Sequence, residues 1–530
     1  MEKLESKHCT PCRAGAPYKR NPANYNFFLV FNDDAAICCR NQIKIKIRGE
    51  TDMKATVIVK KLDTPHQREP FTRFMPLGDG MPGAVRDAVG SIFDELGGAS
   101  LLKESREVYI KPNAVDAKPY SHTRVEVLRE IISYWKRAGA KKIYLFENAT
   151  QANFTRLVYR AAGYTRLCRE TGTVPVFLDE ERGHALSFTG RTPASAANPD
   201  GYDLTSFLMP DTVMKLIRER ERHLYINVPK LKTHSMGVVT LGVKNQWGFP
   251  MQRSRGYDHN YNLPHKLVDI LGYIRPDVTL IEGVEGTIHG HYFATALADR
   301  QVKPFCVMLA STNVVAADIV GARVFGLGIK DVPHLALAIE RGLSNGVKSE
   351  RDISLSGDLK SLKNIDLIGD MPASGHYPWD LYPLFPDDVR IVKGTKLACR
   401  EGCVNNPLCA MQTMYLDTAG KGGWTLLMGK GHDEATIGSI SGRVLVAGHC
   451  AVGEVSERLI RRLGRKNVYL SGECNDLSAT AEALFHLMKV NPATYVPVNP
   501  LVTFFEYLTA RLKGSTSRVP HPFSHVLKRV

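Results

Sequence analysis

Long apolar runs, a dense cysteine framework and an acidic excess are all missing from this sequence of 530 residues. The best N-terminal apolar run, Phe27 to Phe31, falls far short of the ~18 residues that a membrane-spanning helix needs. Eleven cysteines at irregular spacing are too few for a disulfide scaffold and indicate reduced thiols. These absences predict a cytoplasmic protein with no membrane partner.

The charge balance is basic, because 69 Lys and Arg residues face 54 Asp and Glu residues and give a net charge of +15 at pH 7. A basic chain favours anionic partners, which include metabolites, phosphates, lipids and nucleic acids. The basic residues are spread along the chain, and no nucleic-acid signature of interleaved aromatic and basic residues is found. The composition therefore favours a small anionic metabolite over nucleic acid.

Hydrophobic periodicity indicates the fold class and the segments of the chain. A strand pattern begins at Met53, and strand and helix patterns alternate from Glu107 onwards, as in Val108–Ile110, Val125–Ala138 and Lys142–Phe146. This alternation predicts an α/β fold of two Rossmann-like domains with mostly parallel sheets and ligands at the carboxyl ends of the strands. The predicted segments are an N-terminal extension at 1–52 that is disordered or stems from a mis-assigned gene start, a larger α/β domain at 53–371, a Pro-rich linker at 372–391, a smaller α/β domain at 392–500 and a basic tail at 501–530.

Polar residues follow the predicted strand Leu224–Val228 more densely than any other strand. Lysines, a histidine and glycines after a strand end can neutralise a carboxylate or phosphate and let backbone amides approach it. An anion site is therefore predicted, although solvated lysines and a buried histidine would give the same pattern. The candidates are Lys230, Lys232, His234, Lys244, Asn245, His259 and His265.

A second group follows the strand at Val108 and comprises Lys111, Asn113, His122 and Arg124. The Arg124 guanidinium offers a bidentate fork for a carboxylate or phosphate, whereas a surface salt bridge or helix capping by its neighbours would explain the group without a ligand. A third group, Glu282, Glu285, His289 and His291, lies in a glycine-rich stretch that reads as a polar turn. It could supply a metal ligand or an acid–base pair.

Four cysteines in the C-terminal half form the remaining candidate site. Their spacing matches neither the usual zinc pairs nor the ferredoxin run, so they are either ligands of a metal ion or iron–sulfur cluster, or small buried side chains. The four are Cys399, Cys403, Cys409 and Cys450, with Cys474 further along the chain.

Four motifs together resemble the bacterial and archaeal family named domain of unknown function 362. They are Val108–Asn113, Asn227–His234, Leu241–Asn245 and Val315–Asp318, and the resemblance spans about residues 107–330. It implies homology and leaves the activity open.

The order of parts also shows a more distant similarity to the lactate racemase family, which has two α/β domains and a nickel-pincer nucleotide bound to a lysine. That family's His-Thr-Arg block resembles His122-Thr123-Arg124, and its metal-site histidine and cofactor lysine resemble His234 and Lys244. The similarity implies that Lys244 carries the cofactor, that His234 with His259 or His265 flanks the metal, and that Arg124 holds the substrate carboxylate.

The sequence thus predicts an enzyme that binds a small anionic metabolite between two domains and catalyses metal-assisted proton transfer or isomerisation. His234 or His265 would act as the base, while Lys232, Arg124 or a metal stabilises the developing charge. The alternative is a non-catalytic redox or cofactor-handling protein that meets a redox partner protein. In that alternative an iron–sulfur cluster is held by Cys399, Cys403, Cys409 and Cys450.

Overall fold

The computed structural model describes residues 54–62, 71, 82–188, 206–252, 254–257, 262–361, 378–472, 474 and 476–520. The predicted N-terminal extension at 1–52 and the candidate ligand His259 lie outside these residues. The chain divides into two compact units, Met1–Met53 and Lys54–Val530, and every described residue belongs to the second.

The strands of the described residues form two main sheets and two small ribbons. The large sheet has the order β12-β1-β11-β10-β7-β2-β3-β4, the second sheet has the order β13-β14-β15-β16, and the ribbons are β5-β6 and β8-β9. Their bounds are β1 (Ala55–Lys61), β2 (Glu107–Pro112), β3 (Lys142–Glu147), β4 (Val174–Phe177), β5 (Gly183–Ser187), β6 (Ser206–Pro210), β7 (Leu224–Val228), β8 (Lys232–His234), β9 (Val238–Thr240), β10 (Val278–Thr287), β11 (Val302–Ser311), β12 (Ile353–Gly357), β13 (Val389–Lys393), β14 (Trp424–Met428), β15 (Arg443–Ala447) and β16 (Val468–Ser471).

Helices connect most of these strands. A π-turn, Arg400–Val404, leads directly into a helix of 14 residues. The bounds are α1 (Pro82–Glu95), α2 (Val125–Arg137), α3 (Thr155–Ala161), α4 (Tyr164–Thr171), α5 (Asp211–Arg218), α6 (Gly242–Asn245), α7 (Leu263–Tyr273), α8 (Ala298–Gln301), α9 (Val314–Arg323), α10 (Pro333–Glu340), α11 (Pro378–Leu381), α12 (Asn405–Thr418), α13 (Glu434–Ser439), α14 (His449–Leu463), α15 (Leu477–Leu487) and α16 (Pro500–Leu512).

The large sheet is mostly parallel. Strand β11 pairs antiparallel with both β1 and β10, and the other neighbouring pairs are parallel. The predicted mixed α/β class with a mostly parallel sheet is therefore confirmed. The predicted division into two Rossmann-like domains is not, because Lys54–Val530 forms one compact unit.

Alternating side chains of the large sheet enter two separate cores. Val57 and Val59 of β1 belong to one buried cluster, and Ile58 between them belongs to the other. The same alternation places Tyr109 of β2 in the first cluster and Val108 in the second. Burial of each aliphatic side chain stabilises the fold by roughly 1.5–3 kcal/mol relative to exposure to water. Packing on both faces therefore fixes the position of the sheet and of its carboxyl edge.

The second sheet repeats this construction on a smaller scale. Its four strands are all parallel, and Leu426 and Met428 of β14 face one buried cluster while Leu427 faces another. Parallel strands direct their carboxyl ends to one edge, so the loops that follow β13 to β16 gather there.

Helix α12 joins the two sheets through one carboxylate. Asp417 accepts hydrogen bonds from the backbone N–H of Thr295 at 2.7 Å and from its hydroxyl at 3.2 Å, and its Oδ2 lies 3.6 Å from Nζ of Lys118. Lys118 also donates to the carbonyl of Phe293 at 2.6 Å. A buried cation with two partners therefore fixes α12 against the loop that follows β2.

The C-terminal segment returns to the large sheet. Helix α16 packs on α3, where the rings of Phe154 and Tyr507 meet edge to face with centroids 5.8 Å apart. Beyond the helix, the Ser515 hydroxyl donates to Asp179 at 2.7 Å. The first part of the predicted basic tail is thus a helix followed by a docked segment. Within the described residues, no helix combines the length and hydropathy needed to cross a bilayer.

Candidate functional site

A cavity of about 210 Å³ lies between the carboxyl edge of the large sheet and helices α12 and α15. On the sheet side, Asn113, Asp116 and Lys118 follow β2, and His291 follows β10. His234 ends β8 in the ribbon that follows β7. The volume is below the ~300–1,000 Å³ of pockets for drug-sized ligands, so the cavity suits a small metabolite.

The remaining walls come from α6 and from the second sheet. Helix α6 contributes Lys244 and Asn245, and α12 contributes Asn405, Asn406 and Cys409. The cavity lies where the sequence predicts ligands, at the carboxyl ends of the strands. The sequence pattern of the strands does not indicate the wall formed by α12 and α15.

Three asparagine side chains form a chain of hydrogen bonds that ends in the cavity. Asn227 Nδ2 donates to the carbonyl of Gly242 at 2.8 Å, so Asn227 Oδ1 accepts from Asn245 Nδ2 at 2.7 Å. Asn245 Oδ1 accepts in turn from Asn113 Nδ2 at 2.8 Å. Because a backbone carbonyl only accepts, it fixes the orientation of all three amides. The chain ends at Asn113 Oδ1, a buried acceptor without a hydrogen-bond partner among the described residues.

Two histidine rings stack in the cavity wall. Nδ1 of His234 accepts from the backbone N–H groups of Met236 and Gly237, both at 3.0 Å, so the neutral ring carries its proton on Nε2. The His291 ring lies parallel to it with centroids 3.8 Å apart and an interplanar angle of 8°. Burial and the neighbouring lysines lower the pKa of His291 well below its ordinary value. The pair therefore offers one fixed N–H donor and one neutral imidazole.

Lys244 is positioned by the contacts of α6. The carboxylate of Asp318 on α9 accepts from the backbone N–H of Gly242 at 2.6 Å and of Val243 at 2.8 Å, which fixes the start of the helix. Burial raises the pKa of Asp318 to about 7. A Cβ on Gly237 would lie 3.4 Å from both Cδ and Cε of Lys244, so the Gly237 backbone packs against the lysine stem. The ammonium group is thereby held at the cavity wall.

Further lining residues carry buried polar atoms without a hydrogen-bond partner in the described part of the chain. They are Oδ2 of Asp116, Oδ1 of Asn148, Oγ1 of Thr240, Oδ1 of Asn405 and Nδ2 of Asn406. Buried polar groups are normally paired, so a polar ligand or ordered water is needed to satisfy them. Three of these atoms only accept hydrogen bonds, Asn406 Nδ2 only donates and the Thr240 hydroxyl can do either, so donors on a ligand or water would match the three acceptors.

Two of the predicted anion-binding cations lie in an ion-pair network outside the cavity lining. Lys230 Nζ is 2.8 Å from Glu282 and 3.0 Å from Glu285. Arg124 pairs with Glu285 at 3.1 Å and with Glu126 at 3.2 Å. The predicted acidic group on β10 is thus what binds these cations, and Arg124 does not share the cavity with His234 and Lys244.

Three more of the predicted residues are buried behind the wall. Lys232 donates to the carbonyl of Ser121, and burial lowers its pKa to about 7. Burial and neighbouring lysines lower the pKa of His122 to about 3. Lys111 pairs with Glu147 at 2.7 Å, and burial lowers its pKa. None of the three lines the cavity, and Lys111 is linked to its wall through Glu147, which does.

The predicted metal ligands do not gather in one place. His265 is half-buried on α7 and is absent from the cavity lining, and His259 lies outside the described residues. Cys409 lines the cavity, whereas Cys399, Cys403 and Cys450 lie at the second sheet. Among the residues that the structure describes, no group of three or more His, Cys, Asp or Glu side chains is arranged to hold a metal ion.

Several lining residues were not among the predicted site residues. Lys118 and Asp116 lie well beyond the end of β2, and the Asn405-Asn406 pair opens α12 in the other half of the chain. The one sequence signal for the pair is its amide character directly before Pro407 at a helix start, which also suits plain capping. The sequence does indicate His291, but in a group with Glu282 and Glu285 and not with His234 and Lys244.

Comparison with known proteins gives one family match. Residues 108–323 match the family model described as "Domain of unknown function (DUF362)". The DUF362 match covers β2 to α9 and thus contains His234, Lys244 and the asparagine chain. It supports the predicted resemblance, whereas the predicted similarity to lactate racemases is not shown.

A curated thylakoid-associated protein of Synechocystis sp. is similar to this chain. It is 24% identical over 278 residues, which is 49% of this chain and 76% of the relative. A crystal structure of a protein from Thermotoga maritima aligns with 79% of this chain and 84% of its own at 10% identity and a TM-score of 0.31.

Proposed function

We propose that the cavity binds a small metabolite that carries an anionic group and a hydroxyl or amine, and that the chain transfers a proton on this metabolite. The chain of asparagines that ends at Asn113 Oδ1 carries the proposal, because it presents a fixed acceptor in the same small cavity as the Lys244 cation. An acceptor and a cation together match a hydroxy- or amino-carboxylate, or a hydroxylated phosphate.

The remaining wall supplies groups for proton transfer. The Nε2–H of His234 can donate to a carbonyl or developing oxyanion, because its Nδ1 is already engaged. His234 is therefore better suited to donate a proton or hydrogen bond than to act as the predicted base. We assign the role of proton acceptor to the neutral His291 ring stacked on it. Burial and the neighbouring lysines lower the pKa of His291 and weaken it as a base, whereas the negative charge of a bound anion would act in the opposite direction.

Matched ligands and matched variants test the binding. Malate and succinate differ by one hydroxyl, and calorimetry on the purified chain should show tighter binding of malate. Lys244→Met should weaken both at least tenfold, because the cation serves the carboxylate, whereas Asn113→Ala should remove only the preference for malate. Lys142→Met, at the exposed amino end of β3, is the control and should change neither affinity.

The result that contradicts the proposal is equally concrete. The binding site lies elsewhere if Lys244→Met binds malate as the unchanged chain does. No binding by a panel of 2-hydroxy and 2-amino carboxylates, inorganic phosphate and glycerol phosphate would refute the ligand class. For a ligand that binds, loss of its C2 proton signal in D₂O should depend on His291, and retention of this exchange in His291→Phe would refute the assigned proton acceptor.

A further inference from the structure

Four cysteines lie at the carboxyl edge of the second sheet, outside the DUF362 match. Strands β15 and β16 are paired so that Ala447 faces Ser471, and the N–H of Gly448 donates to the Ser471 carbonyl at 2.8 Å. Cys450 and Cys474 each follow their strand end by three residues. Because the two strand ends are level and adjacent, the first turn of α14 and the segment after β16 place both cysteines at the same edge of the sheet.

The other two cysteines reach this edge from the π-turn. A bridge between Leu397 and Lys430 fixes the chain just before Cys399 beside the end of β14. One turn later, Cys403 packs directly on Gly448, where a Cβ would lie 2.5 Å from the Cys403 Cβ and 3.6 Å from its Sγ. Gly448 has a φ of 92°, so glycine is required there by both backbone conformation and space.

Contacts around Cys403 link it to two of the other cysteines: its Sγ lies 4.0 Å from the carbonyl oxygen of Cys399, and it packs on Gly448, two residues before Cys450. Burial raises the pKa of Cys474, and the thiols of Cys403, Cys399 and Cys450 raise it further. Burial raises the pKa of Cys403 to about 11, and Cys450 adds to this shift. A backbone amide hydrogen bond at Gly429 acts in the opposite direction on the Cys403 sulfur. These partly buried cysteines are thiols rather than disulfides.

We propose that Cys399, Cys403, Cys450 and Cys474 hold a [4Fe–4S] cluster at the carboxyl edge of the second sheet. Cysteine thiolates are the ligands of such clusters, and backbone hydrogen bonds to their sulfurs tune them. In a cluster each iron takes one cysteine thiolate, so the four side chains surround the cluster and do not converge on a single ion.

The proposed ligand set differs from the predicted one by one residue. Cys409, the fourth cysteine of the predicted set, lines the cavity near Lys118 and Asp116. Its place is taken by Cys474, which follows β16 at the same sheet edge as the three remaining cysteines. The inference is independent of the proposed ligand class of the cavity, because no cysteine of the set lines it.

Anaerobic purification of the full chain followed by iron and acid-labile sulfide analysis tests the proposal. We expect about four irons and four sulfides per chain, and an electron paramagnetic resonance signal after reduction with dithionite. Cys474→Ser and Cys450→Ser should each lower the iron content at least fourfold. Cys409→Ser and Cys168→Ser, which alter a cavity cysteine and a buried cysteine of α4, should keep it.

Each contrary result is decisive. Iron retained in Cys474→Ser, or lost to the same degree in Cys409→Ser, overturns the ligand set. Zinc without sulfide, or no metal after anaerobic reconstitution of the unchanged chain with iron and sulfide, overturns the cluster. If circular dichroism shows that Cys474→Ser does not fold, the iron content of Cys450→Ser and the iron-to-sulfide ratio of the unchanged chain test the proposal in its place. Malate binding by the chain does not bear on any of these outcomes.

Discussion

At the residue scale, the sequence indicates several residues that line the cavity but not the groups with which they form hydrogen bonds. Asn113, His234 and Lys244 are recognisable from sequence because they follow strand ends, where parallel sheets expose their functional groups. The orientation of Asn113 is not recognisable, because the Gly242 carbonyl sets it through two other amides. The sequence also does not indicate the ion pair between Arg124 and Glu285, because Glu285 lies 161 positions further along the chain.

Lys232 should make the stability of the protein depend on pH. Burial lowers its pKa from 10.5 to about 7, so between these values the unfolded chain binds more protons than the folded chain. The free energy of unfolding should therefore rise with pH across this window, by a few kcal/mol at most. In Lys232→Met the rise should be smaller, as measured by urea unfolding at pH 7, 8.5 and 10. The exposed control Lys142→Met should keep the full rise, and an unchanged slope in Lys232→Met would contradict the assignment.

At the scale of elements, strand β10 shows where a sequence pattern misleads. The glycine-rich stretch after Ile281 predicts that the strand ends there in a polar turn. This prediction is wrong, because β10 continues to Thr287. A Cβ on Gly286 would collide with the Leu231 carbonyl, and one on Gly283 would lie 2.7 Å from the Leu231 side chain. The glycines thus allow the chain after β7 to cross close over β10. This crossing brings Lys230 to the carboxylates of the strand.

Removing the Lys230 cation should destabilise this crossing. Lys230→Met leaves buried Glu282 without its main counter-ion, and breaking a buried ion pair typically costs about 3–5 kcal/mol. Urea unfolding at pH 7 measures the loss. Lys330→Met, an exposed lysine, should change the free energy of unfolding by less than about 0.5 kcal/mol. Equal stability of the two variants would show that the network contributes little.

At the scale of the whole molecule, the two sheets were predictable and their junction was not. Alternating strand and helix patterns suffice for a parallel sheet, because each strand must be covered on both faces. The placement of α12 against the large sheet depends on Asp417, Thr295 and Lys118, which are far apart in the chain. The sequence therefore does not indicate the cavity wall that α12 forms.

The course of α12 has a thermodynamic consequence. The helix starts directly after the π-turn that bears Cys403, and within its first two turns it presents Asn405 and Cys409 to the cavity. A cluster bound at the π-turn would order the start of α12, and this would lower the entropic cost of binding a ligand in the cavity. The same coupling free energy acts in the opposite direction, from the cavity to the cluster. Malate should raise the chelator concentration needed to remove half of the iron at equilibrium, and stripped protein should bind malate more weakly by the matching factor in affinity. Chelator titration at equilibrium and calorimetry measure the two sides of this reciprocity.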